Sequence, residues 1–337
     1  MKGIKTIVVA AGAAALVSTA AGAETVIRVS SWAPPTHFVN ANIFPEWGAA
    51  LEKATEGRVK TKIEYNIASP PKQFDVVRDG VADMTWIFHG YNTRFVATQV
   101  VEFPGLGSSG EAAAAAYWQV HQKYLEKANE HRGVMLIGLN SHGPAVIHTK
   151  KPIASLDDFN GMKIRVPGGV GSLVGEKLGV VAVKLPAPKV YESLASGVAD
   201  GVFMPMETQK SFRLKEVVKF VTEMPGGLYY GSFGYLLNPK TYQKLSKGDQ
   251  AAVDKLSGMH LAKLGRYWDL ADDVGRGDAL KAGTKISTAS DAVRDAYYAR
   301  VKSLEDDWVK QVAKWFDGKA AISELRTLAK DYEKSKK

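Results

Sequence analysis

The chain has 337 residues, 45% of them hydrophobic, enough to bury a substantial core in more than one lobe. It contains no cysteine, which excludes a disulfide framework, a zinc–thiolate site and a cysteine nucleophile. The formal net charge is +9, but the basic residues are scattered and not interleaved with aromatics, so a solvated surface or steering of anions is expected and nucleic-acid binding is not.

The first residues combine Lys2 and Lys5, an apolar run from about Thr6 to Val17, and Ala21-Gly22-Ala23. That order of charge, apolar run and small residues is a secretory signal with cleavage expected after Ala23, which predicts an exported, periplasmic chain of net charge +7 beginning at Glu24. The run is short for a membrane span, and no later segment approaches 18 uninterrupted apolar residues.

From there the chain reads as strand and helix in alternation. VIRVSSW (Val26 to Trp32) is a strand, followed by a helix in NIFPEWGAALEKATEGRV that Gly57 is placed to end. A strand in VKTKIEYN, a helix in PKQFDVVRDGVAD (Pro71 to Asp83) and a strand in MTWIF come next. The same order returns 117 residues later: MKIRVPG, then VGSLVGEKLG, VVAVKLP, PKVYESLASGVAD (Pro188 to Asp200) and GVFMP. The two helical segments share six of thirteen positions, including GVAD, and both opening strands contain Ile-Arg-Val. Two such strand–helix–strand units predict two parallel-sheet lobes.

From about Ser246 the pattern predicts one helix of about 35 residues, with Ser246 as N-cap and Asp249 at its third position, long enough to brace both lobes. The rest, from about Ser290, reads as helical and ends in a basic tail expected to fray. The expected fold class is therefore α/β, two lobes, each a mainly parallel sheet flanked by helices. The expected division is a signal at 1–23, lobe I at 24–145 plus about 234–270, lobe II at 146–233 plus about 271–310, and a C-terminal helix and tail at 311–337.

None of the seven histidines falls at H-x-x-x-H or H-E-x-x-H spacing, no serine sits in G-x-S-x-G, and Pro167 to Gly175 matches neither common nucleotide-binding glycine motif. Binding is the simpler hypothesis, with no metal or cofactor implied. In an open α/β sheet a ligand lies beyond the carboxyl ends of the strands, so the candidate cleft is lined by Trp32 to His37, Trp86 to Tyr91, Arg165 to Ser172 and Phe203 to Met206. Alternation along MKIRV puts Arg165 on the face opposite Ile164, where it either pairs with an acid or holds an anionic ligand. The glycine-rich loop after it offers backbone N–H groups at a helix start, a second anion-binding feature.

At DFNGMKIRVPG, followed by VVAVKLPAPKVYESLASGVADG, the sequence resembles the extracytoplasmic solute receptors of tripartite ATP-independent periplasmic (TRAP) transporters. The matching motifs are Gly161-x-Lys163-x-Arg165, the strand-Pro-helix segment at Leu185 to Pro188, and Gly197-x-x-Asp200-Gly201. SWAPPTH, the HGY at His89 to Tyr91, and TKKPIASLDDFNG extend the likeness over most of the chain. The resemblance implies a periplasmic-binding-protein-like receptor, not an enzyme, that closes on an organic acid through the arginine matched by Arg165. It also implies delivery to the small and large subunits of a membrane permease.

Two departures bear on the ligand. Met204 stands where the family often has an asparagine, and Ala145 where receptors for dicarboxylates or sialic acid often have a second cation. Losing an amide and a cation favours a ligand with one carboxylate and an apolar body. The expected lining is Trp32, Trp86, Phe88, Tyr91, Phe203, Met204, Met206, Tyr229, Tyr230 and Phe233, with His37, His89 and His142 as hydrogen-bonding candidates and Arg94 as a weaker second cation. The expected ligand is an aromatic or bulky hydrophobic monocarboxylate. The alternatives are a small 2-oxo or 2-hydroxy acid, a C4-dicarboxylate, a sensing role, or an exported enzyme acting on anionic substrates.

Overall fold

The computed structural model describes residues 24–336, so the expected signal and its cleavage point lie outside the described residues. Eleven strands are found among these residues: β1 Thr25–Ser31, β2 Val59–Tyr65, β3 Met84–Phe88, β4 Met135–Ser141, β5 Val146–Thr149, β6 Lys163–Val166, β7 Val181–Lys184, β8 Gly201–Met204, β9 Phe220–Glu223, β10 Ser232–Leu237 and β11 Lys285–Thr288. They form two sheets, β2-β1-β3-β10-β4 and β11-β9-β5-β8-β6-β7. Reversed, the second reads β7-β6-β8-β5-β9, the same topology as the first with β11 added at one edge.

Each sheet is parallel except for one strand, β10 in the first and β5 in the second, which runs against both its neighbours. These are the strands on which the chain enters one sheet after leaving the other. The lobes are thus mixed sheets, mainly parallel, tied together by exchanged strands.

The structure explains why GVAD occurs twice. Gly80 and Gly197 have φ of 75° and 78°, a left-handed turn that ends a short helix at no steric cost to glycine. Asp83 and Asp200 then clamp the strand that opens each repeat, β1 or β6: Asp83 Oδ2 accepts the Arg28 N–H at 2.9 Å, and Asp200 Oδ2 accepts the Lys163 N–H at 3.0 Å.

That clamp also corrects the Ile-Arg-Val echo. Strand pairing sets Val29 against Met84 and Ile164 against Gly201, positions that correspond in the GVAD repeat. Arg28 is therefore equivalent to Lys163, and Arg165 to Ser30. The echo finds the right strands two residues out of register, a slip that keeps each strand's faces but matches the wrong positions.

The long late helix is broken into Lys247–Lys255, Met259–Lys263 and Arg266–Lys281, where the single run of about 35 residues was expected. Gly258, at φ 60°, is one break and Gly265 precedes the other. The expected cap is present, Ser246 Oγ accepting the Asp249 N–H at 3.1 Å. The last piece still spans the molecule, packing on Val39–Ile43 and the helix Gly110–Lys123 on one side and on Thr208–Ser211 and β11 on the other. The helix Gly110–Lys123 is itself buried on several faces, Ala112 to Ala116 being fully inaccessible. Against it lies the C-terminal helix Gly318–Ser335, whose end is tied down where fraying was expected: Tyr332 Oη donates to Glu111 at 2.9 Å, and Glu333 accepts the Ser109 N–H at 2.7 Å.

Candidate functional site

The carboxyl ends of β1, β3, β6 and β8 converge on a narrow cavity between the lobes. Its widest surface is aromatic. Trp32 stacks on Trp86 with ring centroids 4.1 Å apart, Trp86 lies 5.5 Å from Phe233, and Phe233 stacks on Trp268 at 4.7 Å. The two tryptophans of the stack satisfy their own N–H groups within the protein: Trp32 Nε1 donates to the Trp86 carbonyl at 3.1 Å, and Trp86 Nε1 to Ser31 Oγ at 3.0 Å. Neither indole N–H therefore needs an acceptor from a ligand. Phe88, Met204, Phe212, Pro167, Pro205 and Ala187 complete the apolar surface.

Arg165 is the charged group in this wall, only 1% exposed. Its Nε donates to the Leu185 carbonyl at 2.8 Å, and its Nη2 is buried without a partner. Among the described residues no acid forms a salt bridge with it, so the structural ion pair that the sequence left open is not made. A guanidinium held this way is oriented by one backbone bond while its fork remains available to a carboxylate. Tyr91, close by, accepts the Ala187 N–H at 2.8 Å through its hydroxyl oxygen, which leaves the Tyr91 proton free to donate. Tyr229 Oη is committed to the Phe203 carbonyl at 3.0 Å.

A second polar group of side chains lies beyond the tryptophan stack. The His37 ring is 5.5 Å from Trp86, whereas Tyr91 is reached from Trp32 at 6.3 Å. His37 Nδ1 accepts the Val39 N–H at 3.3 Å, so the neutral ring carries its proton on Nε2, 4.0 Å from Glu207 Oε1. Burial lowers His37 to about 3 and raises Glu207 to about 8, keeping both neutral at pH 7. Glu207 Oε2 is held by the Ser211 hydroxyl, and its backbone N–H donates to Asp272 at 2.7 Å. His142 shares Nδ1 with the Gly143 carbonyl at 2.5 Å, so Nε2 is its acceptor, and burial lowers it to about 4.

The cavity gathers Trp32, His37, Trp86, Phe88, Tyr91, His142, Arg165, Met204, Tyr229 and Phe233 from the residues the sequence singled out. Three other site candidates face elsewhere. His89 Nε2 pairs with His131 Nε2 at 2.9 Å inside lobe I, Phe203 packs on Phe159 in the core of lobe II, and Tyr230 Oη bonds the backbone of Ser108. Each adjoins a lining residue, Phe88, Met204 or Tyr229, and successive side chains in extended chain point to opposite sides. Met206 packs with Val146 and Val221, and Arg94 lies 4.2 Å over the Phe74 ring.

The glycine-rich loop does not present its helix start to a ligand: the Val170 N–H donates to Glu102 Oε2 at 2.8 Å. Burial raises Glu102 to about 7, with bonds from Ser232 and Val170 opposing the shift. The glycines serve close approach, for Gly168, at φ 105°, lies against the Gly90 carbonyl of lobe I. Sequence reasoning missed Glu207, Phe212 and Trp268. Trp268 was within reach, since a helix bracing both lobes must cross the cleft, but an acid kept neutral by burial has no mark in sequence.

Two lobes of one topology, closed over an unpaired buried cation and aromatic walls, define a solute-binding receptor. The chain belongs to bacterial extracellular solute-binding protein family 7, whose profile matches residues 29–311. It is similar to a TRAP periplasmic solute-binding protein from Bordetella bronchiseptica with bound (R)- and (S)-mandelate, at 39% identity and TM-score 0.89, over 91% of this chain and 99% of that one. A TRAP solute-binding protein from Rhodoferax ferrireducens in complex with copurified benzoate matches at 27% and 0.87, over 93% and 100%. One from an unidentified marine microbe, specific for aromatic acids and bound to 3-hydroxybenzoate, matches at 32% and 0.86, over 92% and 99%. No helix among the described residues is long and apolar enough to cross a membrane.

Proposed function

We propose that this protein is the periplasmic receptor of a TRAP transporter for an aromatic monocarboxylate, which it hands to the small and large membrane subunits of the permease. The observation that carries the reading is Arg165, buried and unpaired at the edge of a cavity walled by Trp32, Trp86, Phe233 and Trp268. A buried cation without a counter-ion is costly, and an incoming carboxylate removes that cost. Arg165 and the Tyr91 hydroxyl take the carboxylate, and the tryptophan stack takes the ring. The mandelate, benzoate and 3-hydroxybenzoate held by the similar receptors support the same ligand class. Ligand entry accompanies hinge closure of the two lobes, and the expected signal cleaved after Ala23 accounts for export.

Isothermal calorimetry with benzoate, mandelate and phenylacetate against lactate, pyruvate and succinate tests this. Micromolar or tighter binding confined to the aromatic acids is expected. Saturable binding of succinate or pyruvate with none of the aromatic acids would overturn the reading, and turnover of any bound acid would point to an enzyme.

A further inference from the structure

The aromatic cavity has polar equipment that a carboxylate at Arg165 does not use. His37 Nε2 and Glu207 Oε1 are 4.0 Å apart, too far for a direct hydrogen bond, and both residues line the cavity and are at least 98% buried. Their chemistry is complementary. The His37 tautomer fixed by the Val39 N–H leaves Nε2 as a donor. Glu207 shares Oε2 with the Ser211 hydroxyl, and with its acid proton in that bond Oε1 is left as the carbonyl acceptor. A hydroxyl oxygen about 2.8 Å from each atom spans a gap of that width, accepting from one and donating to the other.

Resting on the aromatic-carboxylate reading, we propose that His37 and Glu207 form a subsite for a hydroxyl group on the ligand's ring, so that the preferred ligands are hydroxylated aromatic acids. Placement agrees with this. The Trp86–Trp32 stack lies between His37 and Tyr91, so a ring seated on the stack with its carboxylate at Arg165 and Tyr91 directs its far edge towards His37. The neutrality of both groups suits an uncharged hydroxyl and disfavours a second carboxylate, consistent with the loss of a second cation at Ala145. The buried Trp268 Nε1, which has no acceptor among the described residues, adds a polar atom to the same side, its ring 6.2 Å from His37.

The test is calorimetric titration of the purified mature protein at pH 7 with phenylacetate, 3-hydroxyphenylacetate and 4-hydroxyphenylacetate. At least one hydroxylated isomer is expected to bind tenfold or more tightly than phenylacetate, the effect of one or two net hydrogen bonds. Glu207→Leu and His37→Phe should each reduce that ratio below about threefold, whereas Glu207→Gln, which keeps a carbonyl acceptor, should retain most of it. Equal wild-type affinity for all three acids overturns the subsite while leaving the aromatic-carboxylate reading intact. So does a preference that survives both disabling substitutions. Failure of all three acids to bind overturns the reading beneath it as well. Should the variants not fold, the wild-type series decides alone.

Discussion

Ser30 in lobe I and Arg165 in lobe II occupy the same place in two copies of one scaffold, and they have been put to opposite uses. Ser30 Oγ donates to Gln73 Oε1 at 2.7 Å, and Thr85 Oγ1 donates to the same oxygen at 2.8 Å, so lobe I closes a buried polar network on itself. The positions matching Gln73 and Thr85 in lobe II are Val190 and Val202, neither of which offers Arg165 a side-chain acceptor. One lobe is satisfied internally, and the other keeps a cation that only something from outside can pair. The duplication supplies the frame, and its broken symmetry leaves Arg165 without a side-chain partner in the cavity wall.

The most severe way to break this contrast is Arg165→Ala. Loss of aromatic-acid binding by a hundredfold or more is expected, since truncating one partner of a buried charge pair costs about 2–5 kcal/mol. Without ligand, the same variant should melt no lower than wild type, because it removes a buried cation that has no counter-ion. Undiminished affinity by calorimetry would mean the anchor lies elsewhere. A fall in the ligand-free melting temperature would mean that Arg165 has a structural role comparable to that of Ser30.

A smaller effect is expected where the lobes touch. Gly168 combines φ 105° with ψ −171°, a region open to glycine alone, and a Cβ there would fall 2.2 Å from the Gly90 carbonyl oxygen. Gly168→Ala should raise the Kd of an aromatic acid about tenfold and weaken ligand-induced compaction in small-angle scattering, because closure then meets a steric stop. Wild-type affinity and compaction together would show that this contact does not limit closure.

Much of this was legible in the sequence, and the parts that were not share a cause. The repeat, the strand order it implied and the place of Arg165 all follow from periodicity and turn residues, which act locally. His89, Phe203 and Tyr230 were misplaced because a run of candidates names a segment, whereas only the register of the strand or loop says which alternate residue faces the cleft. The Ile-Arg-Val echo named the right strands and faces but slipped by two residues along them. Glu207 was invisible for a different reason: its neutrality comes from burial, with the Ser211 bond opposing the shift and Asp272 adding to it, and these groups come together only in the folded chain.

The finest comparison between the lobes is that of the two clamping aspartates. Both fix the strand that opens their repeat by the same pair of bonds to its backbone, and the Asp83 and Asp200 N–H groups return to Arg28 and Lys163 carbonyls at 3.0 and 2.7 Å. Asp83 does more, since its Oδ2 also takes Arg28 Nε at 3.3 Å and its Oδ1 takes the Thr241 hydroxyl at 2.7 Å. At roughly 1 kcal/mol per hydrogen bond, with the half-exposed Arg28 Nε pair adding little, Asp83→Ala should cost about 2 kcal/mol in urea unfolding and Asp200→Ala about 1 kcal/mol. Ligand affinity should rank the other way, because Asp200 sets the register of β6, which carries Arg165, and Asp83 sets that of β1, whose equivalent residue is the self-satisfied Ser30. If the variant that loses more stability also loses more affinity, register in lobe II is held by something other than its aspartate, and the division between frame and function does not run along the repeat.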